Sequence, residues 1–246
     1  MRSSAVEGVP EGWRAVAGSS PAERLLEGTW ESLERNAQRE AFRVEVSGGS
    51  LFVKRYDPGT LAGRVRDFVL RRKPYRSFVW GRRLAEAGFA TPRPVALWLR
   101  GGGLPREALI VTEWLEDARQ WDRHLAGRWR EDPAAARAAL QEVAKLLGRL
   151  HAQRFDHGDL RTNIVFAGPE PKRPFLIDLD DLWWWPTRAR RVKNLQRMHR
   201  VLARSWSLGP LERELFFQAY GAEAGLPAGS LDRLGKEVFA AVPGPG

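Results

Sequence analysis

The 246-residue sequence contains no cysteine and only three tyrosines and two methionines. Without a thiol the chain forms no disulfide, binds no metal through sulfur and runs no thiolate chemistry; its redox compartment is left open. Nowhere does an apolar run approach the roughly 18 to 20 residues that a membrane-spanning helix needs. The opening stretch MRSSAVEGVPEGW lacks the apolar core of a secretory signal, so a soluble, unexported protein is expected. There is no internal repeat, no low-complexity linker and no ligand spacing that suits zinc. Acidic residues are missing locally. Between Arg64 and Arg83 the only acid is Asp67, and between Arg188 and Arg204 there is none.

What is present belongs to a globular chain: 43% hydrophobic and 28% charged residues, with eleven tryptophans. The length suffices for one two-lobed enzyme or two small domains, with a core to bury. The formal net charge of +10 is concentrated in the two acid-poor stretches. One carries Arg64, Arg66, Arg71, Arg72, Lys73, Arg76, Arg82 and Arg83. The other carries Arg188, Arg190, Arg191, Lys193, Arg197, Arg200 and Arg204. Dispersed charge is a solvated surface, whereas clustered charge suits an anionic partner: phosphorylated lipid, a membrane surface or nucleic acid. No nucleic-acid motif accompanies it, and nucleic acid is not expected.

Strand signals dominate the first half. Phe42, Val44 and Val46 alternate with Arg43 and Glu45, and a Ser47–Ser50 turn leads into Leu51–Tyr56, which reads as a β-hairpin. The segment from Pro21 to Leu33 fits a short helix or a strand with a turn. Tyr75 to Ala87 fits a basic helix, and Val95–Leu99 and Ala108–Leu115 fit two further strands. Asp132-Pro133 then opens the strongest helix, with an N-capping acid and proline at the first helical position. Ala136, Leu140, Val143, Leu147 and Leu150 give it one buried face. Beyond Asp181 the chain is expected to turn helical and basic, and a final helix is expected from Leu211 to Tyr220. Strands first and helices later predict an α+β chain, with a sheet-rich lobe over 1–115 and a helical lobe over 116–246.

The chemistry concentrates in His157-Gly158-Asp159-Leu160-Arg161-Thr162-Asn163, followed by the apolar pieces Ile164–Phe166 and Phe175–Ile177 and then Asp178-Leu179-Asp180-Asp181. An antiparallel hairpin returns to its starting end, so Asn163 before it and Asp178 after it are expected side by side. An amide oxygen and a carboxylate are hard ligands suited to Mg²⁺. Asp159, four residues before Asn163, is placed to reach a substrate hydroxyl beside that metal. Phosphoryl transfer also needs a cation on the nucleotide phosphates, and Lys54 lies within the apolar strand LFVKRY. Lys54 read alone fits an outward-facing strand lysine equally well. His151 and His157 are expected to pack or hydrogen-bond rather than to catalyse. Trp183, Trp184 and Trp185 fit a membrane interface, but core packing is the favoured expectation for them.

The ordered set HGDL…N…LIDLDD resembles the catalytic and metal loops of kinase-fold enzymes. Together with FVKRY, AGFATPRPVALW, LIVTEWLED, LGRLHAQ and VKNLQRMHRVL it resembles the bacterial lipopolysaccharide kinases, the Kdo/heptose kinase family. The resemblance spans about Phe42 to Tyr220. It implies a bilobal protein-kinase-like fold, ATP and Mg²⁺ as cofactors, and phosphorylation of an inner-core sugar at the cytoplasmic face of the inner membrane. It implies Asp159 as catalytic base, Asn163 and Asp178 as metal ligands and Lys54 as the nucleotide-phosphate lysine, with Arg161 near the transferred phosphate. Three departures accompany it. The interval from Asp159 to Asn163 is one residue shorter than the usual kinase loop. The turn near Asn36–Arg39 carries no glycine-rich sequence. Ser77 stands where an acid would pair with Lys54, and Glu86 lies near the helix end. A small-molecule or protein kinase of the same fold, and a pseudokinase scaffold, remain open alternatives. The basic blocks are expected to give a salt-sensitive peripheral contact with anionic membrane.

Overall fold

The computed structural model describes residues 13–18, 28–35, 39–57, 60, 73–100, 107–168, 173–185, 187–205 and 209–240. The Pro58-Gly59 break, the Gly101–Gly103 turn, residues 36–38 of the turn before the first hairpin, and Arg64, Arg66, Arg71 and Arg72 of the first basic block fall outside them. The chain divides into two compact units, Met1–Leu115 and Glu116–Gly246.

The first unit is an antiparallel sheet with one helix. Its strands are β1 (Trp13–Gly18), β2 (Thr29–Arg35), β3 (Arg39–Val46), β4 (Gly49–Tyr56), β5 (Pro94–Arg100) and β6 (Glu107–Glu113), and helix α1 (Lys73–Glu86) lies between β4 and β5 in sequence. The spatial order is β1-β5-β6-β4-β3-β2. The expected hairpin is β3–β4, in register from Val46 opposite Gly49 to Arg39 opposite Tyr56. The Pro21–Leu33 segment resolves as strand where it is described, since Thr29–Arg35 pairs with β3. Alternation sorts the side chains onto two faces. Phe42, Val44, Val53, Ala96, Trp98, Leu109 and Val111 pack together with Trp30 on one. Tyr56, Leu97, Leu99, Ala108 and Ile110 pack on the other, with Phe78 of α1.

The second unit is mostly helical: α2 (Trp121–Glu131), α3 (Pro133–Ala152), α4 (Arg188–Ser205), α5 (Pro210–Ala224) and α6 (Ala228–Ala240). Helix α3 begins as its sequence requires. The Asp132 carboxylate accepts from the backbone N–H groups of Ala134 and Ala135, with proline at the first turn. Its five periodic apolar residues are all buried. Helix α3 packs along α5, and the approach is close at Gly148: a Cβ there would lie 2.5 Å from the Tyr220 carbonyl oxygen and 2.7 Å from the Glu223 Cβ. Only glycine fits that crossing. Two expectations need correction here. The helix ending near Tyr220 is not the last, because α6 follows it. Nor does the chain turn helical directly after Asp181: Leu182–Trp184 first forms a strand. Among the described residues no helix is long and apolar enough to cross a membrane.

Short strands frame the region that matters most. Strands β7 (Arg119–Gln120), β9 (Ile164–Phe166) and β10 (Pro174–Leu176) form a small sheet in the order β10-β9-β7. Strands β8 (Phe155–His157) and β11 (Leu182–Trp184) form a separate antiparallel ribbon, with Leu182 opposite His157 and Trp184 opposite Phe155. The seven-residue stretch His157–Asn163 therefore runs from the end of one pair of strands to the start of another.

Candidate active site

The β9–β10 hairpin does what its sequence implies. Leu176 pairs with Ile164, and one step beyond the ladder the Ile177 N–H donates to the Asn163 carbonyl at 2.9 Å. Asn163 thus faces the residue that precedes Asp178. The Asn163 Nδ2 donates back to the Asp159 carbonyl at 2.9 Å. That bond fixes the amide, so its Oδ1 acceptor is directed away from the donor side. Asp178 is exposed at the head of the 3₁₀ turn Leu179–Asp181, with its backbone in the left-handed region at φ 51°. Aspartate tolerates that region better than most residues.

His157 ties these pieces together. Its Nδ1 receives the Asp159 backbone N–H at 3.1 Å, and its Nε2 lies 2.9 Å from the Asp178 carbonyl oxygen. An amide N–H can only donate and a carbonyl can only accept, so the ring is the neutral tautomer with its proton on Nε2. Burial lowers the pKa of this ring, against a smaller upward pull from the Asp178 carbonyl and the Asp178 and Asp181 carboxylates. A protonated ring would turn an N–H against the Asp159 N–H and break the bridge. The expectation that His157 shapes the loop holds, and the shaping joins the Asp159 loop to the Asp178 loop.

The rest of the loop is pinned residue by residue. Gly158 donates to the Asp181 carbonyl at 2.9 Å and receives the Arg197 Nη1 of α4 on its own carbonyl at 2.6 Å. A Cβ at Gly158 would meet the Asp181 Cβ at 3.3 Å, a tight contact that glycine avoids. Leu160 is buried. The Trp121 indole of α2 donates to the Arg161 carbonyl at 2.9 Å, while the Arg161 side chain is exposed. The Thr162 hydroxyl donates to the Asp159 carboxylate at 2.8 Å, leaving that carboxylate's other oxygen outside the bond.

Beneath the loop sits a buried acid that sequence reasoning missed. Asp156 of β8 is 1% exposed. It accepts from Arg190 Nε at 2.5 Å and from Asn194 Nδ2, both on α4. A buried carboxylate needs such partners. The signal was available: an acid inside the apolar FDH strand, and a helix rich in cations with no acid of its own. The same network revises the second basic block. Arg188 pairs with Glu237 at 2.6 Å, Arg190 with Asp156, and Arg197 with the Gly158 carbonyl. Lys193 and Arg200 remain exposed.

Lys54 lies in the first unit, on β4, opposite Ala41 on β3 and Ile110 on β6. Directly opposed residues share a face, so Lys54 is on the Ile110 and Tyr56 side, the side that carries Phe78 of α1. It is half-buried, with its Nζ 5.3 Å from the centre of the Tyr56 ring. Glu86 on α1 faces Arg82 at 3.8 Å.

All four histidines fall in the second unit, and each has a lowered pKa. His151 bonds the Tyr220 hydroxyl at 2.8 Å; burial, helped by Arg191, pushes it down to about 3. Burial and Arg213 push His199 down to about 4. The unfolded chain takes up protons near pH 6.5, whereas the folded chain resists until lower pH. Stability from these groups is therefore complete above pH 6.5 and falls as pH drops below it. His151 alone contributes a slope of about 1.4 kcal/mol per pH unit. The thermal unfolding midpoint is expected to fall continuously from pH 7 to pH 5. A flat midpoint over that range would mean that the histidines are not held neutral by the fold.

A sheet-rich unit followed by a helical unit with this hairpin-borne Asp–Asn–Asp arrangement is a kinase-like α+β fold. A solved structure described as WaaP in complex with acyl carrier protein superposes with a TM-score of 0.63 at 23% identity, covering 87% of this chain and 90% of that one. The sequence model of the lipopolysaccharide kinase (Kdo/WaaP) family matches residues 64–220, and the chain belongs to that family. Among curated relatives, the 3-deoxy-D-manno-octulosonic acid kinase of Xanthomonas campestris pv. campestris (strain B100) is 32% identical over 173 residues, 66% of this chain and 65% of that protein. The enzyme of that name from Xanthomonas oryzae pv. oryzae (strain PXO99A) is 31% identical over 181 residues, 69% and 68% of the two chains. The match thus spans about 65% of the length of the first of these relatives.

Proposed function

We propose that this protein transfers the terminal phosphoryl group of ATP to a sugar hydroxyl of lipopolysaccharide core or a related glycolipid, on the cytoplasmic side of the inner membrane. The observation that carries the reading is the His157 bridge, which holds the Asp159 and Asp178 loops in one hydrogen-bonded frame. Asp159 receives the proton of the attacking hydroxyl through the carboxylate oxygen that Thr162 does not occupy. Arg161, exposed and without a side-chain ion pair among the described residues, neutralises charge on the phosphoryl group. Lys54 holds the nucleotide phosphates. The donor set suits a hard cation: an amide fixed through its Nδ2, with its oxygen left to accept, and an exposed carboxylate, oxygen ligands of the kind Mg²⁺ takes together with phosphate and water. Asn163 and Asp178 would hold it. When bound, Mg²⁺ neutralises the phosphate oxygens. The names of the relatives support a sugar acceptor.

The test is phosphate transfer from radiolabelled ATP by the purified full chain, with Mg²⁺, to three acceptors. These are a core oligosaccharide carrying 3-deoxy-D-manno-octulosonic acid, an aminoglycoside and a generic protein substrate. Label is expected on the sugar alone. Label on either other acceptor rejects the glycolipid assignment, and no ATP turnover with any acceptor establishes the pseudokinase reading.

A further inference from the structure

Three consecutive tryptophans sit at the end of the ribbon that leads into the Asp159 loop, and none of them joins the core. The alternating expectation for a strand would bury at least one. Instead Leu182 is fully buried, while Trp183, Trp184 and Trp185 are 48%, 53% and 63% exposed. Trp185 lies at φ 66° and Arg154, across the ribbon, at φ 62°, so both strands turn, at the same end of the ribbon, in the left-handed region that bulky residues avoid. Strain of this kind persists only where the surroundings impose it. Here the Trp185 N–H donates to the Arg154 carbonyl at 2.8 Å, and the Arg154 guanidinium lies 3.8 Å from the centre of the Trp185 ring. The indole is held outward, with a cation against it.

All three indoles are exposed, with the Trp184 and Trp185 ring centres 6.4 Å apart, and they leave an apolar end to the ribbon that water does not favour. Indole is the side chain best suited to the boundary between headgroups and acyl chains, because it combines an apolar body with one polar N–H. The surrounding charge has the matching sign. Arg154, against the Trp185 ring, is exposed with no acidic partner among the described residues; Arg190, 5.5 Å from the Trp183 ring centre, is already paired with Asp156. The tip is also close to the chemistry. Leu182 pairs with His157, and Trp184 follows two residues later, about 7 Å along the strand.

We propose that Trp183–Trp185, with Arg154 against the Trp185 ring, is a docking tip that inserts into an anionic lipid surface. It holds the Asp159 loop at the depth where a glycolipid's sugar emerges. This rests on the glycolipid reading of the site, and its experiment reports on that reading separately. Full-length protein is floated with vesicles of phosphatidylcholine alone or with added phosphatidylglycerol, at low and high salt. Trp fluorescence is recorded with lipids brominated on the acyl chain. Binding to the anionic vesicles is expected, with a bromine-quenched component. The triple variant W183S/W184S/W185S, checked for an unchanged unfolding midpoint, is expected to lose that quenched component and at least about tenfold in partition. R154Q is expected to lose about fivefold at low salt and little at high salt.

Unchanged partition of the triple variant, or no acyl-chain quenching in the parent protein, overturns the proposal. Binding to an acidic protein with no binding to vesicles does the same. ATP turnover assayed without vesicles separates the two readings. Turnover without vesicle binding rejects the tip alone, and vesicle binding without turnover rejects the phosphotransfer reading alone.

Discussion

Replacing Asp178 by asparagine is expected to reduce phosphoryl transfer by about 10³-fold or more, with the thermal unfolding midpoint nearly unchanged. A carboxylate that helps to hold a divalent cation contributes several kcal/mol of charge stabilisation, and each 1.4 kcal/mol is about tenfold in rate. The substitution removes the charge while sparing the scaffold. Asparagine enters the left-handed backbone region at least as readily as aspartate, so φ 51° at this position is no obstacle. The bond from His157 ends on the Asp178 main-chain carbonyl, which the variant keeps. Asp178 is exposed, so the substitution does not change the packed core. Turnover is measured across a Mg²⁺ titration. Recovery to near-normal turnover at saturating Mg²⁺ would sink the assignment of this carboxylate to the metal.

The parts of the site legible in the sequence were those encoded by chain adjacency. Asn163 and Asp178 flank a hairpin, and any hairpin closes its two flanks together; Asp159 then follows by sharing the loop. The capped helix α3 was legible for the same reason, since Asp132, Pro133 and five periodic apolar residues all lie within one segment. What escaped was encoded at long range or in too few residues. Strands β8 and β11 have three residues each, too short for alternation to declare itself, and their partnership joins positions far apart. Asp156 shows its purpose only with Arg190 and Asn194, 34 and 38 residues later. Helix α2 buries only Trp121, His124 and Leu125, a weak stripe among arginines. Helix α6 contains Gly229 and Gly235, which lower helix propensity, although Leu234 and Val238 are buried on it. The tryptophan triplet was the clearest failure. A run of three identical residues carries no periodicity, so the core was the natural expectation, whereas all three indoles are exposed.

Replacing Asp159 by asparagine is expected to lower turnover by about 10²- to 10⁴-fold, the span typical of a lost general base, while ATP affinity stays within a few-fold of the parent value. The separation follows from where the side chain acts. The loop's geometry depends on Asp159 mainly through its backbone: the N–H donates to His157 and the carbonyl receives Asn163. Neither bond involves the carboxylate. Among the described residues the bond that does, from the Thr162 hydroxyl, survives in the variant, because the asparagine side chain still offers an amide oxygen as acceptor. The amide cannot take the proton that the attacking hydroxyl releases. The loss therefore falls on the transition state and spares the nucleotide complex, so kcat drops while the ATP dissociation constant holds. Calorimetric titration of ATP with Mg²⁺ and a steady-state assay on the same preparation decide the point. If ATP affinity collapses together with turnover, Asp159 serves nucleotide or metal binding and the base must be sought elsewhere. If turnover is unchanged, the hydroxyl needs no base from this loop and the reaction is driven by positioning alone.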